Sequence, residues 1–120
     1  MKKVAIFVLL FTLVLGGCVE KEPSIAKVYV RNLSNQLLTN FEVILVAQSN
    51  SPSFNETRRT NASGYATFDL QPVFDQLASE KNPTADFRIM ARTPSDGIVT
   101  LGTLRARRNI IAVENVVFGF

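Results

Sequence analysis

Few residues in this 120-residue chain can make or break bonds. Histidine and tryptophan are absent, and Cys18 is the single cysteine. A Ser-His-Asp or Cys-His arrangement needs an imidazole to take the nucleophile's proton, so neither can be built. Zinc and copper sites made of imidazole and thiolate are excluded on the same ground. One thiol cannot close an internal disulfide, so a folded domain must rely on its core. Carboxylates remain. Asp69, Asp75, Asp86 and Asp96 are scattered, without the Asp-x-Asp-x-Asp-Gly spacing that converges oxygens on calcium. No pair of acids has a spacing that marks a general acid and its base. The expectation is no catalytic residue, no metal and no cofactor.

Other side chains could bind rather than react. Arg58 and Arg59, together with Arg105, Arg107 and Arg108, form a candidate basic patch for anionic headgroups or an acidic partner. The plainer account is that edge strands carry charge to prevent edge-to-edge pairing. Asn32, Asn55 and Asn61 each begin an Asn-x-Ser/Thr acceptor sequence in a turn or polar segment. Tyr29 and Tyr65 are the only tyrosines able to stack on a sugar.

The thiol has a more specific setting. Met1-Lys2-Lys3 precedes an apolar run from Val4 to Leu15, followed by Gly16-Gly17-Cys18. Two cations, a short apolar stretch and small residues are the layout of an export signal. The run has about twelve residues, whereas a bilayer-spanning helix needs about twenty. A buried core helix is the other alternative, and it does not account for the lysines or the Gly-Gly-Cys end. Leu15 to Cys18 resembles the lipobox of bacterial and archaeal-type lipoproteins. The resemblance implies cleavage between Gly17 and Cys18, lipid on the Cys18 sulfur, and an extracytoplasmic protein anchored to the cell membrane or an outer membrane. Two or three acyl chains hold stably, where one binds marginally. By resemblance to enteric lipoproteins, Val19, which is not aspartate, permits outer-membrane sorting. Cleavage also removes Lys2 and Lys3, so thirteen cations become eleven against ten anions. The pI of about 9.4 therefore overstates the charge of the mature chain, and nothing points to nucleic acid.

The elements that must carry these residues are mostly strands. The expected organisation is a signal peptide over 1–17, a lipidated cysteine and polar tether over 18–24, and one domain over 25–120. Lys27 to Arg31, Phe41 to Ala47, Glu56 to Thr60, Tyr65 to Leu70 and Phe87 to Arg92 show strand composition or period-two alternation. Val99 to Ala106 and Asn109 to Phe120 add two late strands. Pro72 to Glu80 breaks the alternation and reads as a short helix, with Val73, Phe74 and Leu77 on one side. Gln48 to Phe54, Asn61 to Gly64 and Thr93 to Gly97 are loops and turns. The fold class is therefore all-β: about seven antiparallel strands in a two-sheet sandwich with one short helix. Val28, Val30, Val43, Leu45, Phe68, Leu70, Ile89 and the late valines and isoleucines are its expected core.

Val28 to Leu70, and within it Thr60-Asn61-Ala62-Ser63-Gly64-Tyr65-Ala66-Thr67-Phe68, resembles the transthyretin-like and carboxypeptidase-regulatory-like domains. The resemblance implies a prealbumin-type, Ig-like sandwich. It carries no enzymatic activity over, because the hydrolase branch of that group uses histidines and a C-terminal tetrapeptide that this chain lacks. The expected function is a non-catalytic, protein-binding or assembly subunit of a cell-envelope or surface structure, pilus-like among the options. The partner is a protein or a second copy. The tail Ile110 to Phe120 reads as a core strand of the sandwich, with a strand offered to a neighbouring subunit as the alternative. The alternative is a small-ligand or carbohydrate-binding surface module using the sandwich face or loops 49–54 and 93–98.

Overall fold

A computed structural model describes residues 22–119, so Gly17, Cys18 and the signal segment lie outside the described residues. Seven strands form: β1 (Ile25–Arg31), β2 (Glu42–Ala47), β3 (Asn55–Arg59), β4 (Tyr65–Asp69), β5 (Thr84–Arg92), β6 (Ile98–Arg107) and β7 (Ile111–Val117). They make a three-stranded sheet ordered β4-β1-β7 and a four-stranded sheet ordered β3-β2-β5-β6. Alternation decides what faces inward. Ala26, Val28 and Val30 of β1, Ala66 and Phe68 of β4, and Ala85, Phe87, Ile89 and Ala91 of β5 are buried, while their polar neighbours face out. Val43 and Leu45 of β2 complete the inner layer, and Phe54 packs edge-on to Phe87 with ring centroids 5.6 Å apart.

Two features depart from the expectation. All sheet pairings are antiparallel except one: β1 and β7, the first and last strands, run parallel with Ile25 opposite Ile111 and Arg31 opposite Val117. The late apolar residues are also mostly not core. Val116 is 5% exposed, but Val113 and Val117 are each 53% exposed, because β7 lies at a sheet edge and its outer row faces solvent.

The helix α1 is shorter than expected, spanning Gln71–Asp75. Asp69 Oδ1 accepts the Gln71 N–H at its start, and Val73 and Phe74 plug the core. Beyond Asp75 the chain continues as i→i+3 turns, with Gln76, Leu77 and Glu80 donating to Val73, Phe74 and Leu77. In β6, Gly102 faces Ile89 and Thr100 faces Met90, so Leu101 is an extra residue in a bulge and packs on the core.

A buried hydroxyl closes each end of the sandwich. At the end where the chain enters, Ser24 is 1% exposed; its Oγ accepts the Asn109 N–H at 2.8 Å and its carbonyl accepts the Leu70 N–H at 2.8 Å. At the other end, Thr60 is 4% exposed; its Oγ1 accepts the Phe41 N–H at 2.9 Å and donates to the Leu38 carbonyl at 2.7 Å. Removing the Thr60 hydroxyl strands a buried donor and a buried acceptor. Thr60→Val should lower the unfolding free energy by about 1–3 kcal/mol, while Thr60→Ser keeps most of it. Urea denaturation of the two variants measures this, and equal losses would contradict the hydroxyl's role.

Candidate functional site

The four sheet edges differ in how they are guarded. β3 reads Asn-Glu-Thr-Arg-Arg, with charge along its length. β6 carries Arg105 and Arg107 and the bulge at Leu101. β4 carries Asp69 and exposed Thr67. β7 reads Ile-Ala-Val-Glu-Asn-Val-Val, with one charge. That charge, Glu114, is in register with buried Val28 and so belongs to the row facing the opposite sheet. Inward-pointing charge is one guard against edge pairing, and Glu114 is the one that β7 carries; the strand has no Pro, Lys or bulge. Its backbone is paired on one side by β1, and no strand among the described residues pairs with the other side.

The outer row of β7 is Ile111, Val113, Asn115 and Val117, apolar except for the exposed Asn115. Val113 and Val117 are half exposed, Ile110 is 47% exposed at the start of the strand, and Leu33 is 77% exposed beyond its end. Leu33 lies so close to Gly119 that a Cβ there would meet its Cγ at 2.6 Å. A largely apolar rim, interrupted by Asn115, thus runs along the free edge, where an added strand would cover it. Phe118 holds the strand end in place: its N–H donates to the Arg31 carbonyl at 2.8 Å and its ring meets Phe41 at 4.7 Å between centroids.

The five arginines of the sequence-predicted patch are not brought together. Arg58 and Arg59 are on β3, and Arg105 and Arg107 are on β6, at opposite edges of the four-stranded sheet. Three strand spacings separate the edges, about 14 Å before any offset along the strands. Arg58 pairs with Glu56; Glu42 takes Arg59 at 3.5 Å and Arg92 at 3.1 Å. Arg108 turns away and donates to the Leu77 carbonyl at 2.6 Å. Sequence inspection passed over Arg88 and Arg92, although the alternation of β5 puts both on the outer row that also carries Arg105 and Arg107.

Arg105 meets Asp86 at 2.8 Å, and Asn50 Nδ2 donates to the same carboxylate at 3.2 Å. The Arg105 hydrogen bond holds the Asp86 carboxyl below its ordinary range; slight burial opposes this, and the Asn50 bond and the guanidinium charge add to it. Arg105 is pushed up in turn, chiefly by the same hydrogen bond.

Tyr29 and Tyr65, far apart in sequence, sit opposite each other on β1 and β4 with ring centroids 5.1 Å apart at 53°. Lys27 Nζ lies 4.7 Å from the Tyr65 ring centre and so occupies one of its faces. Loops 49–54 and 93–98 are at opposite ends of the sandwich, since the first follows β2 and the second follows its antiparallel neighbour β5. Among the acceptor asparagines, Asn55 and Asn61 are exposed and Asn32 is half-buried. Asn32 Oδ1 accepts the Ser34 and Gln36 N–H groups, and Asn61 Oδ1 accepts those of Ser63 and Tyr65, so both side chains shape their own turns.

Among the described residues no group of three or more carboxylates or thiols converges as a metal site would require. No helix among them is long and apolar enough to cross a membrane. No protein-family model, curated protein or solved structure matches the chain.

A carboxyl whose folded pKa is depressed contributes stability that is present above its unfolded pKa of about 3.9 and is lost as pH falls through the folded value. Asp86→Asn should therefore lower stability at neutral pH and flatten the loss below about pH 4. Denaturation curves at stepped pH measure both limbs, and identical slopes for the two proteins would rule out this contribution.

Proposed function

We propose that the chain is a lipid-anchored, extracytoplasmic, non-catalytic module that binds a protein partner or a second copy by adding a strand to the free edge of β7. The open, apolar edge of β7 carries this proposal. A guest strand there gains main-chain hydrogen bonds and covers Val113 and Val117. Such an edge suits a subunit of an envelope or surface assembly. The two-sheet sandwich with one short helix accords with the transthyretin-like resemblance of Val28 to Leu70. The lipobox-like Leu15 to Cys18 supplies the anchor, and the missing histidine supports a non-catalytic role.

The adjacency of Tyr29 and Tyr65 favours a second reading, a carbohydrate-binding face on the three-stranded sheet. Lys27 over Tyr65 narrows the surface left for stacking. A glycan array with no saturable binding removes this reading.

A photo-crosslinking residue placed in the full chain at Asn115, exposed on β7 between Val113 and Val117, and activated in native membranes, should capture one defined partner or a dimer. Val113→Lys with Val117→Lys should cut capture about tenfold or more, because a cation buried in the new contact costs beyond the ~1.4 kcal/mol that a factor of ten represents. The same pair should leave the unfolding midpoint nearly unchanged, since both positions are half exposed. Capture that survives the double substitution refutes the β7 edge. Cys18→Ser should move the chain out of the membrane fraction, and retention there refutes the anchor.

A further inference from the structure

The end of the sandwich where the chain enters carries a cleft of about 320 Å³ lined by Asn82, Pro83, Arg107, Arg108, Asn109 and Ile110. We propose that this cleft receives the phosphate of an anionic lipid headgroup and fixes how the domain stands on its membrane. The proposal rests on the lipid anchor at Cys18.

Position comes first. Ser24, the last tether residue, accepts the Asn109 N–H at 2.8 Å, so the chain enters the fold against the wall of the cleft. Five residues lie between Cys18 and Ser24, which makes six residue-to-residue steps. A fully extended chain spans at most about 3.3–3.6 Å per residue, so an anchored domain keeps this end within roughly 20 Å of the lipid. The other end, with Thr60 and the 93–97 turn, points away.

The lining chemistry suits a phosphate. The lining residues include two arginines and no acidic residue. Arg107 is exposed and has no ion-pair partner among the described residues. Arg108 is held by the Leu77 carbonyl through one terminal nitrogen at 2.6 Å, which leaves its other donors for a ligand. Such forks match phosphate oxygens in pairs. Asn82 and Asn109, both lining residues, take the left-handed backbone conformation with φ of 52° and 60°. Glu22, Asp69, Asp75 and Glu80 are exposed at this end, and none of them is part of the lining.

Ile110 separates this cleft from an ordinary anion site. It is 47% exposed and follows the two arginines after Asn109. A cationic pair with an apolar side chain beside it matches the boundary of headgroup and acyl chain, where the cations meet phosphate and the apolar group enters the layer.

The test uses the full acylated chain in phosphatidylcholine nanodiscs, titrated with soluble short-chain phosphatidylglycerol or with inorganic phosphate, and follows the arginine Nε–H and backbone amide signals by NMR. Phosphatidylglycerol should give saturable shifts at Arg107, Arg108, Asn109 and Ile110. Arg107→Gln with Arg108→Gln should weaken binding about thirtyfold, from two cations each worth about fivefold at an anionic surface. Arg58→Gln with Arg59→Gln, on the far edge, should leave binding within about twofold. An acylated chain without these shifts overturns the proposal alone. Equal response to inorganic phosphate overturns the lipid as occupant. An intact mass with no acyl chain on Cys18 overturns the anchor, and this proposal with it.

Discussion

The parallel pairing of β1 with β7 is the constraint on which the rest depends. β1 is the middle strand of its sheet, and seven consecutive positions match it to the last strand of the domain. That register brings the turn after β6 against Ser24 and so creates the entry-end cleft. It also leaves β7 outermost, with one side of its backbone open. Both candidate binding features follow from where a single strand is placed. The pairing spans most of the domain in sequence, so its loop-closure entropy must be met before its contacts repay it. β1 is flanked on both sides only once the final strand has arrived.

The charge pattern follows the same edges. Glu42 is shared by Arg59 and Arg92 across three adjacent strands, and Asp86 holds Arg105 across one pair. These are surface ion pairs, each of small value to stability. Their larger effect is to keep the outer face of the four-stranded sheet polar, so that further strand addition is discouraged there. The three-stranded sheet has no such lattice on β7. One sheet is guarded and the other is left available.

The fold was legible where alternation was strict. β1, β4 and β5 follow their period-two patterns residue by residue, and Phe68, Phe87 and Ile89 are as buried as those patterns require. The tail misled because hydrophobicity does not distinguish a core strand from an edge strand. Ile111 to Val117 has the composition of a buried strand, yet only one of its two faces meets the other sheet. Its parallel direction depends on topology, which no local residue encodes. The candidate cleft was legible only in part. Arg107 and Arg108 stand out in the chain, but Asn82 joins them through the geometry of the α1–β5 connection. The split of the arginines across two edges likewise required strand order, because sequence clusters say nothing of lateral distance.

The turns share one further property. Six described residues have positive φ, and five of them are Asn or Asp: Asn35, Asn40, Asn82, Asp96 and Asn109. Gly64 is the exception, and a Cβ there would lie 2.6 Å from that of Leu37. Glycine is thus kept for the one such position where a side chain would collide. Elsewhere a short polar residue accepts the left-handed conformation at modest strain. Asparagine and aspartate also visit fewer conformations than glycine when the chain is unfolded. Folding therefore forfeits less backbone freedom at these turns. A small domain without a disulfide gains stability there from its denatured state, with no additional native contact.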